Sequence, residues 1–202
     1  MKSIILPTYF PPIFFWKIII QNNFRWIKKS FYKKQTLRNR TYIHAANGKL
    51  ILSIPIKHSG KNIRRFYDDV SIDSSSNWRK NHFKSIKIAY QSSPYFEFYE
   101  DDLIKFYQNN IDNLYNFNLE SIKLVSNWLN LRHINDTIEF NVDRYKQSET
   151  IQKIDSKEIT KNNNINYTQT FEEKNGFIHG LGILDIIFNC GPNTKDYIKA
   201  GL

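Results

Sequence analysis

Asn47-Gly48 stands between two β-rich runs, Thr41–Ala46 and Lys49–Ile56. Asn-Gly is the preferred pair for a two-residue hairpin turn, because both residues tolerate the positive φ that such a turn requires. Centred there, the turn pairs Ala46 with Lys49, and side-chain alternation sorts the two strands into faces. Thr41, Ile43 and Ala45 share one face with Leu50, Leu52 and Ile54, and this is the core face. Tyr42 and His44 share the other with Ile51 and Ser53. Run backwards, that polar face gains Arg40, and Arg38 comes to lie opposite Lys57. Like charges directly opposite one another are unfavourable on a sheet, and a bound anion would relieve them.

The residues leading into the hairpin carry the densest chemistry in the chain. Tyr32-Lys33-Lys34-Gln35-Thr36-Leu37-Arg38-Asn39-Arg40 packs four cations, two amides and an aromatic ring into nine positions. Arginine offers a planar fork matched to phosphate and carboxylate, and lysine supplies a point charge. The charge distribution agrees. The net charge is +10, yet no Asp or Glu precedes Asp68, and residues 1–67 hold 14 of the 29 Lys and Arg. The first third therefore carries +14 and the rest −4. An anionic partner at the N-terminal third is expected.

A chain of 202 residues with 41% apolar residues suffices for one domain with a real core. The single cysteine, Cys190, can form neither an internal disulfide nor a thiolate cluster and reads as a small buried hydrophobe. The apolar stretch Ile4–Ile20 is broken by Pro7, Pro11, Pro12 and Lys17, which speaks against a secretory or membrane-spanning segment and for a cytoplasmic location.

Along the chain, Ser3–Leu6 reads as a buried strand. Pro7–Pro12 reads as a turn that opens a helix running to about Gln21, and Phe24–Lys28 as a second strand. Val70–Ile72 is a further strand. Ser76 or Asn77 caps a helix through Tyr90, and Phe96–Tyr107 and Ile111–Leu131 are helical. Residues 146–170 read as a polar loop or insertion within a single domain spanning 1–202. The tail from Gly180 holds two short helices split by Gly191-Pro192. The expected fold is α/β, a mixed sheet of short strands with the hairpin near residues 41–56, covered by several helices.

No nucleotide-binding glycine loop, nucleophile elbow or paired metal-ligand motif is present. The five histidines, at 44, 58, 82, 133 and 179, are scattered, so no metal is expected. Asp185 and Asn189 lie one helical turn apart, opposite Ile183, Ile186 and Ile187; a surface pair and a pair facing a cleft are both open.

Four segments together resemble the WbqC-like family, which is associated with O-antigen and other surface-polysaccharide loci. They are Leu-Pro-Thr-Tyr-Phe-Pro-Pro at 6–12, Lys-Gln-Thr-Leu-Arg-Asn-Arg-Thr-Tyr-Ile at 34–43, Leu-Ser-Ile-Pro-Ile-Lys at 52–57 and Gly-Leu-Gly-Ile-Leu-Asp-Ile-Ile-Phe-Asn-Cys-Gly-Pro at 180–192. Trp78, His82, Tyr90 and the run from Ser93 to Glu100 add to it. The chain departs from many relatives at Leu6, where they have Gln, and at Phe14-Phe15-Trp16. The resemblance implies transfer of an acyl or aminoacyl group, glycyl in one proposed role, onto a nucleotide-linked amino sugar in lipopolysaccharide synthesis. It names no cofactor and no catalytic residue.

On this reading Lys34, Arg38 and Arg40, with Lys57 nearby, hold a diphosphate. Gln35 and Asn39 orient the sugar or base, and Pro7, Tyr9, Tyr42, Trp78, Asp185 and Asn189 line the substrate. The Pro7–Pro12 turn could offer backbone N–H groups to a phosphate. His82 or His44 is the candidate general base, since histidine titrates near neutral pH. A nucleic-acid or tRNA-binding module and a non-catalytic assembly protein are the alternatives.

Overall fold

The computed structural model describes residues 3–21, 24–58, 65–131, 137–141 and 165–201. It is a mixed α/β structure in which the parallel and antiparallel pairings belong to separate small sheets. Strand β1 (Ser3–Ile5) runs parallel to β2 (Phe24–Lys29), which in turn runs parallel to β5 (Thr137–Asn141), so β2 is central. Helix α1 (Ile13–Ile20) makes the crossover between β1 and β2. Pro12 occupies its N-cap, where a missing backbone N–H costs nothing.

The hairpin is β3 (Arg40–Ala45) and β4 (Gly48–Ser53). Its register differs from the expected one. Ala45, not Ala46, closes the turn, opposite Gly48, and Thr41 pairs with Leu52. Ala46 and Asn47 make the turn and neither takes a positive φ, whereas Gly48, the first residue of β4, takes φ +98°. The glycine thus serves as the left-handed residue after the turn rather than as its second central residue. The shift moves both strands in step, so the faces survive. Thr41, Ile43, Leu52 and Ile54 are buried as expected, whereas Leu50, near the tip, is 39% exposed. Arg38 does not face Lys57. Asn39 meets Ile54 instead through a pair of hydrogen bonds, and the Lys57 N–H is drawn to the Ser71 carbonyl.

Helix α2 (Trp78–Tyr90) packs on the hairpin, α3 (Phe96–Gln108) packs on α2, and α4 (Leu114–Trp128) packs on α3 and on the 3-10 turn at Tyr67–Asp69. α4 starts later than the apolar stripe alone suggests, because Asn113 caps it, its side chain accepting from the Asn116 N–H at 3.0 Å. Asn77 holds the N-cap place of α2 without a side-chain cap bond. The expected strand at Val70–Ile72 is reduced to isolated bridges, Ile56 with Ile72 and Ser71 with Asn113.

The tail forms α5 (Glu172–Asn175), α6 (Ile183–Cys190), a 3-10 turn at Gly191–Asn193 and α7 (Thr194–Ala200). Residues 146–164 of the expected polar loop lie outside the described residues. Its last part is no surface loop, because Ile165, Tyr167 and Gln169 alternate inward and are buried. Three segments meet at one junction. The Gly182 N–H donates to the Tyr42 carbonyl at 2.7 Å, the Ile183 N–H to the Pro11 carbonyl at 3.0 Å and the Thr41 hydroxyl to the Phe10 carbonyl at 3.0 Å. One apolar core, with Trp16, Trp26, Tyr90, Phe117 and Phe188 fully buried, runs beneath both sheets.

Candidate anion-binding site

The segment before β3 is a turn held at several points. Thr36 and Leu37 are buried and anchor it, while Lys33, Lys34 and Gln35 project outward. The Leu37 carbonyl accepts from the Tyr9 N–H at 3.1 Å, and the Thr36 hydroxyl donates to the Lys33 carbonyl at 3.0 Å. Arg38 donates from Nη1 to the Thr36 hydroxyl at 3.1 Å, and its carbonyl accepts from Asn118 Nδ2 at 2.5 Å. Gln35 takes φ +60°, a conformation disfavoured for a side chain of its size.

Around this turn the cations gather on one aromatic group. Arg65 lies 6.0 Å from the Tyr32 ring centroid, held there because the Tyr32 N–H donates to the Arg65 carbonyl at 3.0 Å. Arg38 lies 5.8 Å over the ring of Tyr67, which stacks on Tyr32 at 6.3 Å. Burial raises the pKa of the Tyr32 hydroxyl above its ordinary value, and the positive charges of Arg38, Arg65 and Arg40 pull it back. That hydroxyl and Arg40 Nε are buried without hydrogen-bond partners. Among the described residues neither Arg40 nor Arg65 is ion-paired. Buried donors left without acceptors are costly in a finished fold, and a di-anion would satisfy them.

The expected ligand residues divide into two groups. Lys34, Gln35, Arg38, Asn39 and Arg40 stand together at the start of β3. Lys57 joins them through its carbonyl, which accepts from Arg65 Nη2 at 2.7 Å. Pro7, Tyr9, Trp78 and His82 form the buried wall behind the turn. The Pro7 carbonyl is taken by the Tyr67 hydroxyl at 2.8 Å. Tyr9 reaches His82 Nδ1 at 3.0 Å and makes a short hydrogen bond with Tyr107. Burial depresses His82 to about 4, so it is neutral at pH 7.

His44, Asp185 and Asn189 belong to the far end of the hairpin. Asp185 is not a surface residue. It is fully buried and accepts from the Tyr90 hydroxyl at 2.7 Å and the Tyr167 hydroxyl at 2.6 Å. Burial raises it to about 6 against the opposing pull of these hydroxyls. The His44 N–H donates to the Tyr90 hydroxyl at 2.9 Å, and its ring, lowered by burial, meets Asn175 at 3.2 Å. Asn189 accepts from Thr170 at 3.0 Å. Tyr42 stands between the two groups under Lys49, whose ammonium is 4.5 Å from its ring centroid. Cys190 is buried, and burial pushes its thiol up to about 11.

Sequence reasoning overlooked Arg65, Tyr67 and Asn118 as site residues. Asn118 had a legible signal: it shares the buried stripe of α4 with Tyr115 and Ile122. Arg65 had only its place in the arginine-rich first third.

The fold and the cation-lined turn define a small α/β protein with a cationic rim at one end of a hairpin. A model of the WbqC-like protein family matches residues 7–162, and the chain belongs to that family. The match takes in the first motif from Pro7 on and the whole of the second and third; the segment at 180–192 lies beyond it. No curated protein and no solved structure matches. No helix among the described residues is long and apolar enough to cross a membrane.

Proposed function

We propose that the protein transfers an acyl or aminoacyl group, glycyl being the simplest, onto the amine of a nucleotide-linked amino sugar in surface-polysaccharide synthesis. One observation carries the reading. Arg40 and Arg65 flank the unpartnered Tyr32 hydroxyl, and no carboxylate among the described residues neutralises either guanidinium. A diphosphate supplies two negative charges and the acceptors those groups lack. Arg38 and Lys34 extend the cationic rim, and Gln35 and Asn39 offer amides to the sugar or base.

In the transfer, the acceptor amine attacks the donor carbonyl, the donor's leaving group departs and the new amide nitrogen sheds a proton. His82, whose Nδ1 meets the Tyr9 hydroxyl at 3.0 Å, is the proposed base. Burial keeps it in the neutral form a base requires, at the expense of basicity. Membership of the family adds to the reading.

The experiment is thermal unfolding of the full chain with pyrophosphate, nucleoside diphosphates and nucleotide sugars, each compared with Arg40→Ala/Arg65→Ala. Stabilisation by nucleotide sugars that disappears in the double variant is expected. No stabilisation of the unaltered protein by any of them overturns the reading. Tighter binding to tRNA than to any nucleotide sugar, steeply weakened by salt, would assign the rim to a nucleic-acid backbone instead.

A further inference from the structure

The cavities at the other end of the hairpin differ in chemistry from the cationic rim. One, of about 570 Å³, opens between the α2–α3 connection and the segment leading into α5. That volume is ordinary for a small-molecule site. The hydroxyls of Ser92, Thr168 and Thr170 line it, with the carboxylates of Glu172 and Glu173. Among the described residues no Lys or Arg lines it, in a chain that carries +10 overall. Among the described residues neither carboxylate is ion-paired.

The wall is preset. Gln169 exchanges two hydrogen bonds with the backbone of Ile178, at 2.9 and 2.8 Å, and its own N–H donates to Glu172 at 3.0 Å. Asn189 donates to the Asp185 carbonyl at 2.8 Å and accepts from Thr170. These amides are spent on position, as are one Glu172 oxygen and the Thr170 hydroxyl proton, which leaves Ser92, Thr168, Glu173 and the other Glu172 oxygen to a ligand. An adjoining cavity of about 470 Å³ shares Thr168 and Glu172 and adds aromatic surface from Phe177 and from Tyr197, which is 41% exposed.

We infer that this double cavity binds a saccharide free of phosphate, separate from the ligand of the arginine rim. Sugar hydroxyls donate to the carboxylates and accept from Ser and Thr, and the apolar face of a pyranose packs on an aromatic ring. Two unneutralised carboxylates repel phosphate. The inference stands apart from the transferase reading, and its failure leaves the arginine rim untouched.

The test is titration of the full chain, followed by calorimetry and ligand-observed NMR, with glucose, galactose, glucosamine, glucose 1-phosphate and ethanolamine. Saturable binding of at least one of the three unphosphorylated sugars is expected, with glucose 1-phosphate at least about tenfold weaker than glucose. Glu173 is exposed, so Glu173→Gln should fold normally and weaken the sugar by about tenfold. Tyr197→Ala should weaken it several-fold, and pyrophosphate binding should be unchanged in both variants. Three results overturn the inference. They are no saturable binding by any of the three sugars, ethanolamine binding as tightly as glucosamine, and wild-type sugar affinity in both variants.

Discussion

The two ends of the hairpin solve opposite electrostatic problems. At the Arg40 end, cations cluster with no carboxylate among the described residues paired to Arg40 or Arg65, and the buried titratable group behind them, His82, is held neutral. At the His44 end, a buried carboxylate is fully provided with tyrosine hydroxyls, and the cavity walls are acidic. Satisfied polar groups rigidify a core, whereas unsatisfied ones at a rim invite a ligand. The contrast locates the proposed phosphate site at the first end and makes Asp185 a structural group at the second.

The comparison can be broken most severely at Gly182, where the tail is fastened to both the hairpin and the first turn. A Cβ there would stand 2.4 Å from Thr41 Oγ1 and 2.9 Å from the Phe10 carbonyl oxygen. The latter is backbone and cannot swing aside, so Gly182→Ala should cost about 3 kcal/mol in urea unfolding. Wild-type stability would mean that the two ends are not tied together there.

Next in size is the effect of Arg40→Ala/Arg65→Ala on pyrophosphate binding, a loss of roughly 100-fold by titration with little change in unfolding. An equal loss in Glu173→Gln would erase the distinction between the ends.

The buried titrations at the two ends act in opposite directions. His82 is depressed from 6.5 to about 4, so its contribution to stability is complete above 6.5 and is lost as pH falls towards 4. Asp185 is raised from 3.8 to about 6, so its contribution is complete below 3.8 and is lost as pH rises through 6. Between pH 4 and 6 the two slopes oppose each other. Asp185→Asn removes one of them, and stability should then fall by roughly 2 kcal/mol more than in the wild type on going from pH 6 to 4. Parallel pH profiles for variant and wild type would sink this account.

The smallest effect is expected at the hairpin tip. Gly48→Ala meets no atom within 4 Å but must hold φ +98°, and should cost about 1 kcal/mol.

Much of the local structure was legible because its causes are local. Alternation exposed the hairpin faces, and prolines marked the start of α1. Gly191-Pro192 divided the tail. The register was missed by one residue on each strand, because Asn-Gly supports two turn geometries and only packing selects between them. The cation segment was legible, but its geometry was not: Arg38 and Lys57 were expected to face one another across the strands. They are separated because Ile56 pairs with Ile72 and carries Lys57 away. Asp185 illustrates the reverse limit. Helical spacing showed which side of α6 it occupies but not that Tyr90 and Tyr167 cover that side.

The sequence by itself determined the hairpin and its two faces, the positive first third and the amphipathic helices, since each depends on neighbours within a few positions. Tertiary structure alone decided that β2 is the centre of a parallel sheet, that Arg65 joins Arg38 and Arg40 at Tyr32, and that the buried His44 and Asp185 share the Tyr90 hydroxyl. Those contacts join residues tens of positions apart. Burial and charge pairing at such separations arise from packing, which no local pattern encodes.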